Sequence, residues 1–501
     1  MNRGNMRAET DSLGTVLVPD DVYYGVQTVR AVENFPISGV SIGSYPGFMR
    51  SLAWIKLAAA RANHRLGDLS HEKKAAIELA CADVLAGRVT AQFPVDVFQG
   101  GAGTSTNMNM NEVLANLALE HMGRSRGDYD ALHPNNDVNQ SQSTNDVYPT
   151  AIRMTLLTYT DGLTSALEEL AAAFALKGNS FANVLKLGRT QLQDAVPMTL
   201  GQEFSAFAAT IREDIERLGE AAALLREINL GGTAIGTGVT ADPRYQGLVL
   251  EELNKLTGLS LAPAANLVEA GWDAGAFVSY SSQLKRVAVK LSKIANDLRL
   301  LSSGPRGGLC EIRLPAVQPG SSIMPGKVNP VVPEVVNQVA FHVIGADLTV
   351  TLAAEAGQLQ LNAFEPVIVA SLLNSMTLLI NVVRVFTVRC VNGIEADRFN
   401  CSRHLEASTA LITALIPLIG YQKATAIAKA KLATGESIME LLKREGIMSR
   451  ELLNMVGDPE ALTKPFRARL NEADAGSRHQ TIGEPCSRQA RRSSDRDPTS
   501  T

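Results

Sequence analysis

Residues 150–176, which read TAIRMTLLTYTDGLTSALEELAAAFAL, decide the fold class of this chain. Their leucines recur at the three-, four- and seven-residue steps that place side chains on one face of an α-helix, at Leu156, Leu163, Leu167 and Leu170. Four more segments show helical periodicity over comparable lengths, at about 200–228, 274–301, 332–356 and 366–391. Helices of roughly 25–30 residues exceed the mean of about 12, and apolar residues on more than one face require burial by other helices. The sequence therefore predicts a mostly α-helical fold around a central bundle of long helices, completed by other subunits.

The composition favours a helical globular protein of several domains. The chain has 501 residues, of which 45% are hydrophobic, 20% charged and only 5% aromatic, and this length exceeds what one core usually holds. A net charge of −4 and a pI near 6.1 give no sign of a nucleic-acid-binding surface. Five scattered cysteines without CxxC spacing predict reduced thiols in a cytoplasmic protein.

Neither the start of the chain nor its most apolar stretch predicts a secretory or membrane role. Residues 1–14 are polar and charged, so no secretory signal is expected. The stretch Val367–Val388 is interrupted by Asn374, Asn381 and Arg384. These interruptions favour a buried helix over a membrane span.

Shifts in the sequence pattern divide the chain into four parts. Residues 1–143 predict mixed helix and loop, and residues 144–392 predict the central bundle, which carries the polar loop 318–330. Residues 393–475 predict a small domain of shorter helices. Residues 476–501 are rich in Arg, Ser, Asp, Thr and Pro and predict a disordered tail, with a basic interaction tail as the alternative.

Four loops are unusually dense in Ser, Thr, Asn and Gln. They are Gly101–Asn107, Ser141–Asp146, Gly188–Asp194 and Gly320–Pro330, the last reading GSSIMPGKVNP. Neutral hydroxyls and amides can donate hydrogen bonds to carboxylate oxygens, so such clusters suit a small dianion. In the last loop glycines and prolines exclude a regular helix, and Lys327 can hold an anion beside a serine hydroxyl. Each cluster alone could be only a turn or a helix cap.

The Gly320–Pro330 loop resembles the signature loop of the aspartase/fumarase superfamily. Members of that family eliminate ammonia, water or an amine from succinyl-type substrates, with fumarate as the shared product. The resemblance covers about residues 7–470 and includes the other three loops in order, which favours one binding site over four unrelated turns. It implies a three-domain fold and a homotetramer whose active sites are built by loops from three subunits.

Several blocks are similar to the aspartase branch of this family rather than to the type-II fumarases. They are Gly100–Ser105, where fumarases have a shorter Gly-Ser-Gly-Thr-Gln-Ser form, Val331–Gln338, Ala354–Asn362, Glu365-Pro366, Leu13–Thr15 and Tyr23–Val26. The implied reaction is the reversible elimination of ammonia from L-aspartate to give fumarate, through an aci-carboxylate intermediate. A type-II fumarase acting on malate and a catalytically silent helical-bundle relative are the alternatives.

The resemblance also assigns roles to individual residues. Ser321 is implied as the general base, and its alkoxide would need stabilisation by loop N–H groups and nearby positive charge. Contacts to the β-carboxylate are implied for Thr104, Ser143, Thr144 and Ser322. The α-carboxylate would be held by Thr190, Lys327 and Asn329, and the amino group would be placed by Asn145.

Gln191 departs from the histidine that fumarases and some aspartases carry at this place. A glutamine cannot shuttle a proton, and expelling hydroxide needs an acid. An ammonium group, in contrast, leaves as neutral ammonia without protonation by the enzyme. Gln191 therefore fits ammonia elimination and is a candidate to bind the amino group, although histidine also occurs among aspartases.

Three further features have a structural and a functional interpretation. His133–Asp137 resembles a secondary anion site of fumarases, but a surface turn is favoured. Gly231–Gly238 looks like a dinucleotide loop, but it follows a predicted helix without a βαβ unit, which favours a tight helix–helix connection. The remaining histidines lack metal-ligand spacing, so neither a metal site nor a required cofactor is predicted. Some aspartases are activated by Mg²⁺, for which no residue is assigned here.

Overall fold

The computed structural model describes residues 5–465 of the chain, and helices dominate this range. Its sixteen α-helices are α1 Val26–Asn34, α2 Pro46–Leu66, α3 His71–Leu85, α4 Thr104–His121, α5 Thr144–Ser180, α6 Leu200–Ala223, α7 Tyr245–Thr257, α8 Gly275–Leu301, α9 Val331–Glu355, α10 Glu365–Arg389, α11 Arg398–Ala407, α12 Ala410–Ile419, α13 Tyr421–Thr434, α14 Ile438–Arg444, α15 Arg450–Gly457 and α16 Pro459–Thr463. The prediction of a mostly α-helical fold is confirmed.

The strands in this range are short and form four two-stranded sheets. They are β1 Met6–Asp11, β2 Gly14–Pro19, β3 Leu185–Thr190, β4 Gln193–Thr199, β5 Glu227–Ile228, β6 Ala262–Pro263, β7 Ile312–Arg313 and β8 Glu395–Ala396. The pairs β1–β2 and β7–β8 are antiparallel, and β5–β6 is parallel.

The five long helices predicted from periodicity are α5, α6, α8, α9 and α10, and each lies within a few residues of its predicted bounds. Helix α5 packs against α6 and α10, while α9 packs against α8 and α10, and α6 against α8. The four leucines that carry the α5 periodicity are all buried, and each contributes about 1.5–3 kcal/mol by leaving water. Rings of Phe174, Phe204, Phe207 and Phe386 join α5, α6 and α10, with Phe174 centroids 5.5–6.1 Å from the others.

Helices α9 and α10 are long and apolar enough to cross a membrane by length and composition alone. In α10, however, Ile368, Leu372, Leu379 and Phe386 are buried among the other helices, which confirms the prediction of a buried helix over Val367–Val388. Helix α9 differs because part of its apolar surface is uncovered in one chain. Its side chains at Phe341, Leu348 and Leu352 are 64%, 60% and 60% exposed.

The described residues divide into two compact units. The larger comprises residues 5–185 and 199–402, and the smaller comprises 186–198 and 403–465. In the smaller unit α12 packs against α13, and α13 against α14. The domain boundaries expected at 143, 392 and 475 stay predictions, and the predicted tail 476–501 lies outside the described residues.

The prediction of a plain loop at Gly188–Asp194 is wrong, because β3 and β4 pair there as a hairpin. Gln191 and Leu192 form its two-residue turn, with φ of 52° and 63°. Two successive left-handed residues match the twist of a hairpin, as in a type I′ turn, but glycine or asparagine usually supplies them. The missing glycine explains why the sequence did not predict the turn.

Candidate active site

The Gly320–Pro330 loop folds back on itself immediately before α9 begins at Val331. The Gly320 N–H donates to the Lys327 carbonyl (2.8 Å), and Asn329 Nδ2 donates to the Gly320 carbonyl (3.0 Å). A Cβ on residue 320 would lie 2.5 Å from the Lys327 carbonyl oxygen, so only glycine permits this closure. The closure brings Lys327 and Asn329 next to the residue that precedes Ser321.

Two backbone donors point at the Ser321 hydroxyl. Its Oγ accepts hydrogen bonds from the N–H groups of Ile323 (3.1 Å) and Met324 (3.2 Å). Hydrogen bonds to an anionic acceptor are about twice as strong as those to a neutral one, so this pair favours negative charge on Oγ. Ser321 is half-buried, whereas Ser322 and Lys327 are exposed. The loop thus supplies the N–H groups that a serine base would require.

Ser143, Thr144 and Asn145 begin helix α5. Ser143 is the N-cap, and its Oγ accepts the Asn145 N–H (3.2 Å) while its own N–H donates to Asp146 Oδ1 (2.9 Å). This reciprocal capping box fixes the backbone at the start of the helix. The free N–H groups and dipole of such a start favour an anion.

Asp146 joins this helix start to the Gly231–Gly238 segment. Its Oδ2 accepts the N–H groups of Gly231 (3.0 Å) and Thr233 (2.9 Å). Asp146 is fully buried, and burial raises the pKa of its carboxyl to about 6 although these N–H donors oppose the shift. Asn145 is tied to the same segment, because its Nδ2 donates to the Ala234 carbonyl (2.7 Å).

These contacts give the Gly231–Gly238 segment a structural role. It links α6 to α7, as predicted, and wraps the start of α5. The two-residue strand β5 does precede it, so the expectation that only a helix precedes it was wrong. Strand β5 pairs only with the equally short β6, and α7 begins at Tyr245, beyond the glycines.

Thr104 is the first residue of α4 and is exposed. Its Oγ1 donates to the Gly101 carbonyl (2.7 Å). One turn further on, Asn107 Nδ2 donates to Thr144 Oγ1 (3.1 Å). This bond ties the start of α4 to the start of α5, so the structure brings together the first two predicted loops.

Among residues 5–465 the Ser321 loop makes no hydrogen bond to these helix starts. The side chains of Ser321 and Asn329 bond within their own loop, and the Asn329 carbonyl accepts the N–H of Val331 (2.9 Å). Thr190 and Gln191 are exposed at the turn of the β3–β4 hairpin, in the smaller unit. The grouping of all four predicted loops into one site stays a prediction.

The His133–Asp137 segment forms a turn, as favoured from the sequence. His133 Nδ1 accepts the N–H groups of Asn135 (3.0 Å) and Asn136 (3.3 Å), and burial lowers the pKa of this imidazole. Asp137 pairs with Lys73 at 2.8 Å. Because Nδ1 already occupies these two N–H groups, they are not open to an anion, and the secondary anion site stays a prediction.

Sequence reasoning missed a buried polar cluster beneath the helix starts. Lys56 on α2 is fully buried, and its Nζ donates to Asn139 Oδ1 (2.8 Å). The same oxygen accepts from Asn107 Nδ2 and Asn111 Nδ2, both at 3.2 Å. The available signal was a single lysine within the apolar run LAWIKLAAA. Over the described range no three His, Cys, Asp or Glu side chains are grouped so that they could hold a metal.

Comparison with known proteins identifies the relatives of this chain. A family model described as "Lyase" matches residues 14–345, and one described as "Fumarase C C-terminus" matches residues 411–464. Aspartate ammonia-lyases from Pseudomonas fluorescens, Helicobacter pylori (strain 26695) and Escherichia coli (strain K12) are 57%, 52% and 50% identical to it. Each alignment covers 92% of this chain and 97–98% of the relative.

Solved structures agree with this placement. A crystal structure titled fumarate lyase:delta crystallin from Brucella melitensis is 59% identical, with a TM-score of 0.90 over 92% of this chain and 100% of that chain. A class II fumarase from Schistosoma mansoni is only 34% identical, with a TM-score of 0.85 over 91% and 98% of the two chains. The fold is thus shared across the family, whereas sequence identity is higher with the former.

Proposed function

The chain belongs to the aspartase/fumarase superfamily of lyases, and on this premise we propose that it converts L-aspartate reversibly to fumarate and ammonia. The observation that carries this proposal is the identity of 50–57% with aspartate ammonia-lyases over 92% of the chain. The class II fumarase, at 34%, supports the alternative much less.

We propose that Ser321 acts as the general base. Its alkoxide would take a proton from C3 of aspartate, and the electron pair would move into the β-carboxylate to form the aci-carboxylate. Return of that pair to form the C2–C3 double bond would expel the amino group from C2 as ammonia. The N–H groups of Ile323 and Met324 at Ser321 Oγ support this role, because preorganised donors stabilise an oxyanion.

The substrate carboxylates would be bound mainly by neutral donors at helix starts. Thr104 begins α4, Ser143 and Thr144 begin α5, and Asn329 lies two residues before α9. Such positions add the helix dipole to the hydrogen bonds of the side chains. We propose that Thr104, Ser143, Thr144 and Ser322 contact the β-carboxylate, and Thr190, Lys327 and Asn329 the α-carboxylate. Asn145 and Gln191 would place the amino group.

A homotetramer would unite these parts. The uncovered apolar side chains Phe341, Leu348 and Leu352 recur at seven and four residues along α9, so they form one stripe that a second copy could cover. Within residues 5–465 no hydrogen bond joins the Ser321 loop to the α4 or α5 start, which also supports shared sites. Light scattering should report four chains per particle, and Phe341→Glu should lower that number. A monomeric, fully active enzyme would exclude shared sites.

No metal is assigned to the reaction, and a cytoplasmic location is proposed. The described cysteines Cys81, Cys310, Cys390 and Cys401 are buried and form no disulfide with one another, which supports a reducing compartment. Activity that survives extensive treatment with EDTA would support a metal-free reaction, and a complete loss that added Mg²⁺ restores would contradict it.

The deciding experiment follows fumarate absorbance with L-aspartate and, separately, with L-malate. Turnover of aspartate with release of stoichiometric ammonia is expected. Turnover of malate alone would make the protein a fumarase. If a well-folded assembly turns over neither substrate, the chain is the catalytically silent relative.

A further inference from the structure

The amine of Lys56 is buried, and a charge in the core destabilises the folded protein because it loses its hydration. No carboxylate pairs with it directly within residues 5–465. The charged or titratable groups acting on it are Asp146 of α5 and Cys81 of α3, and burial lowers the pKa of this amine to about 7. Its hydrogen bond goes instead to the amide oxygen of Asn139.

Lys56 and the Gln142 carbonyl together fix which way the neighbouring amides point. Asn139 Nδ2 donates to the Gln142 carbonyl (3.2 Å). In its charged form Lys56 can only donate hydrogen bonds, so the Asn139 atom facing it must be the oxygen Oδ1. That oxygen accepts, so the Asn107 atom at 3.2 Å from it must be Nδ2 rather than Oδ1. The same Nδ2 then donates to Thr144 Oγ1 at 3.1 Å. The direction of each bond therefore follows from the one before it.

The chain of bonds ends at a hydroxyl whose proton has no protein partner. A threonine hydroxyl has one proton and two lone pairs, and Asn107 occupies a lone pair. Within the described part of the chain Thr144 Oγ1 makes no other hydrogen bond. Thr144 is the first residue of α5 and keeps 8% of its surface exposed. Its proton is thus left to donate toward a ligand at the helix start.

The orientation of Asn107 is not the one that would satisfy its own amide. Its Oδ1 is buried and lacks a hydrogen-bond partner. Turning the amide over would let Oδ1 accept the Thr144 proton, but it would also set Oδ1 against Asn139 Oδ1. As long as Lys56 and the Gln142 carbonyl hold Asn139 in place, that rearrangement is unfavourable.

We propose that Lys56 is a positioning residue which, through Asn139 and Asn107, commits the Thr144 hydroxyl to donate its hydrogen bond to a carboxylate of the substrate. The inference rests on the proposed function, since the dicarboxylate is the ligand placed at this helix start. Without Lys56 only the bond from Nδ2 to the Gln142 carbonyl (3.2 Å) still fixes the direction of Asn139, so the two amides can turn over more readily. Thr144 would then donate to Asn107 and present lone pairs to the anion.

A double-mutant cycle between Lys56→Met and Thr144→Val tests the proposal. The measured quantity is KM for fumarate, which both aspartases and fumarases bind. Each single variant should raise this KM by about tenfold to a hundredfold, the loss expected for one hydrogen bond to a charged group. In the Thr144→Val background, Lys56→Met should change KM by less than about twofold. An equal further rise in the double variant would mean that Lys56 acts by another route, and would overturn the proposal.

If Lys56→Met does not fold, the same cycle is run with Asn107→Leu. Asn109→Leu is the matched control, because Asn109 is also buried on α4 but donates to the Gln92 carbonyl (2.9 Å), away from Thr144. Asn107→Leu should raise KM for fumarate through Thr144, whereas Asn109→Leu should leave it within about twofold. Equal effects of the two variants would indicate general loosening of α4 and refute the proposal that Asn107 orients the Thr144 hydroxyl.

The proposed function and this inference fail in different ways. If the unmodified protein turns over malate rather than aspartate, the proposed function fails. The double-mutant cycle is then measured with the KM for fumarate in the hydration of fumarate to malate. If it turns over aspartate but the effects of Lys56→Met and Thr144→Val on the KM for fumarate are additive in free energy, only the proposed role of Lys56 fails.

Discussion

Asp146→Asn should change stability in a way that depends on pH. The carboxyl of Asp146 is buried with a pKa of about 6, raised from 3.8. For a group whose pKa is raised by folding, the protonated form is the favourable one in the folded protein. Its contribution to stability is full below the pKa of the unfolded state and is lost as the pH rises through the pKa of the folded state. Ionising this carboxylate in the folded protein therefore costs about 3 kcal/mol at pH 7.5, and about half of that at pH 5.

Asparagine removes this cost but loses one hydrogen bond. Gly231 and Thr233 both donate to Oδ2, so the single carbonyl of asparagine can still serve both. The amide nitrogen would then face the Ser143 N–H, which donates to Oδ1 in the native protein. Losing this part of the helix cap costs about 0.5–2 kcal/mol. The variant should thus be nearly neutral at pH 5 and more stable than the native protein by roughly 1–2 kcal/mol at pH 7.5.

Urea unfolding at fixed protein concentration measures this difference, because assembly would otherwise shift the midpoint. Asp96→Asn is the matched control. Burial raises the pKa of Asp96, but N–H groups of Phe98 and Gly39 and both donors of Ser38 outweigh it and leave that pKa below 3.8. Its carboxylate is ionised in both states across pH 5–7.5, so its destabilisation should stay constant. If Asp146→Asn is equally insensitive to pH, the buried ionised carboxylate is refuted.

Three further substitutions test the site and its frame. Ser321→Ala should lower turnover by a factor on the order of 10³ while fumarate affinity changes little, and near-normal turnover would exclude Ser321 as the base. Lys327→Ala should weaken aspartate binding by about tenfold to a hundredfold and also slow the reaction; unchanged KM and kcat would contradict the α-carboxylate assignment. Gly103→Ala should destabilise by about 1–3 kcal/mol more than Gly101→Ala, measured by urea midpoints. Both glycines have φ near +90°, but a Cβ at 103 would lie 2.4 Å from the Tyr148 ring, whereas one at 101 meets nothing closer than 3.8 Å; equal effects would contradict the close packing.

The long helices could be predicted from sequence because their periodicity is local. Leu156, Leu163, Leu167 and Leu170 define one face whatever packs against it, and all four are buried in the structure. The β3–β4 hairpin could not be predicted in this way. Its turn residues Gln191 and Leu192 lack the usual turn chemistry.

The buried cluster was out of reach for a related reason. Whether Lys56 is solvated or buried depends on what α3, α4 and α5 place around it, and no local pattern reports that. Asn107 and Asp146 belonged to the polar loops recognised from sequence. Their roles beneath the surface became visible only from the direction of their hydrogen bonds.

Exposed and buried polar side chains have different roles in the proposed site. Three of the donors that we propose for the ligand, on Thr104, Gln191 and Lys327, are exposed. Two others are held from beneath by buried side chains, since Asp146 accepts the Ser143 N–H and Asn107 donates to the Thr144 hydroxyl. Buried partners hold a hydroxyl in one orientation before the ligand arrives, so little free energy is spent on reorganisation when charge develops. In the proposed homotetramer, assembly would then bring parts that are already oriented together around the substrate.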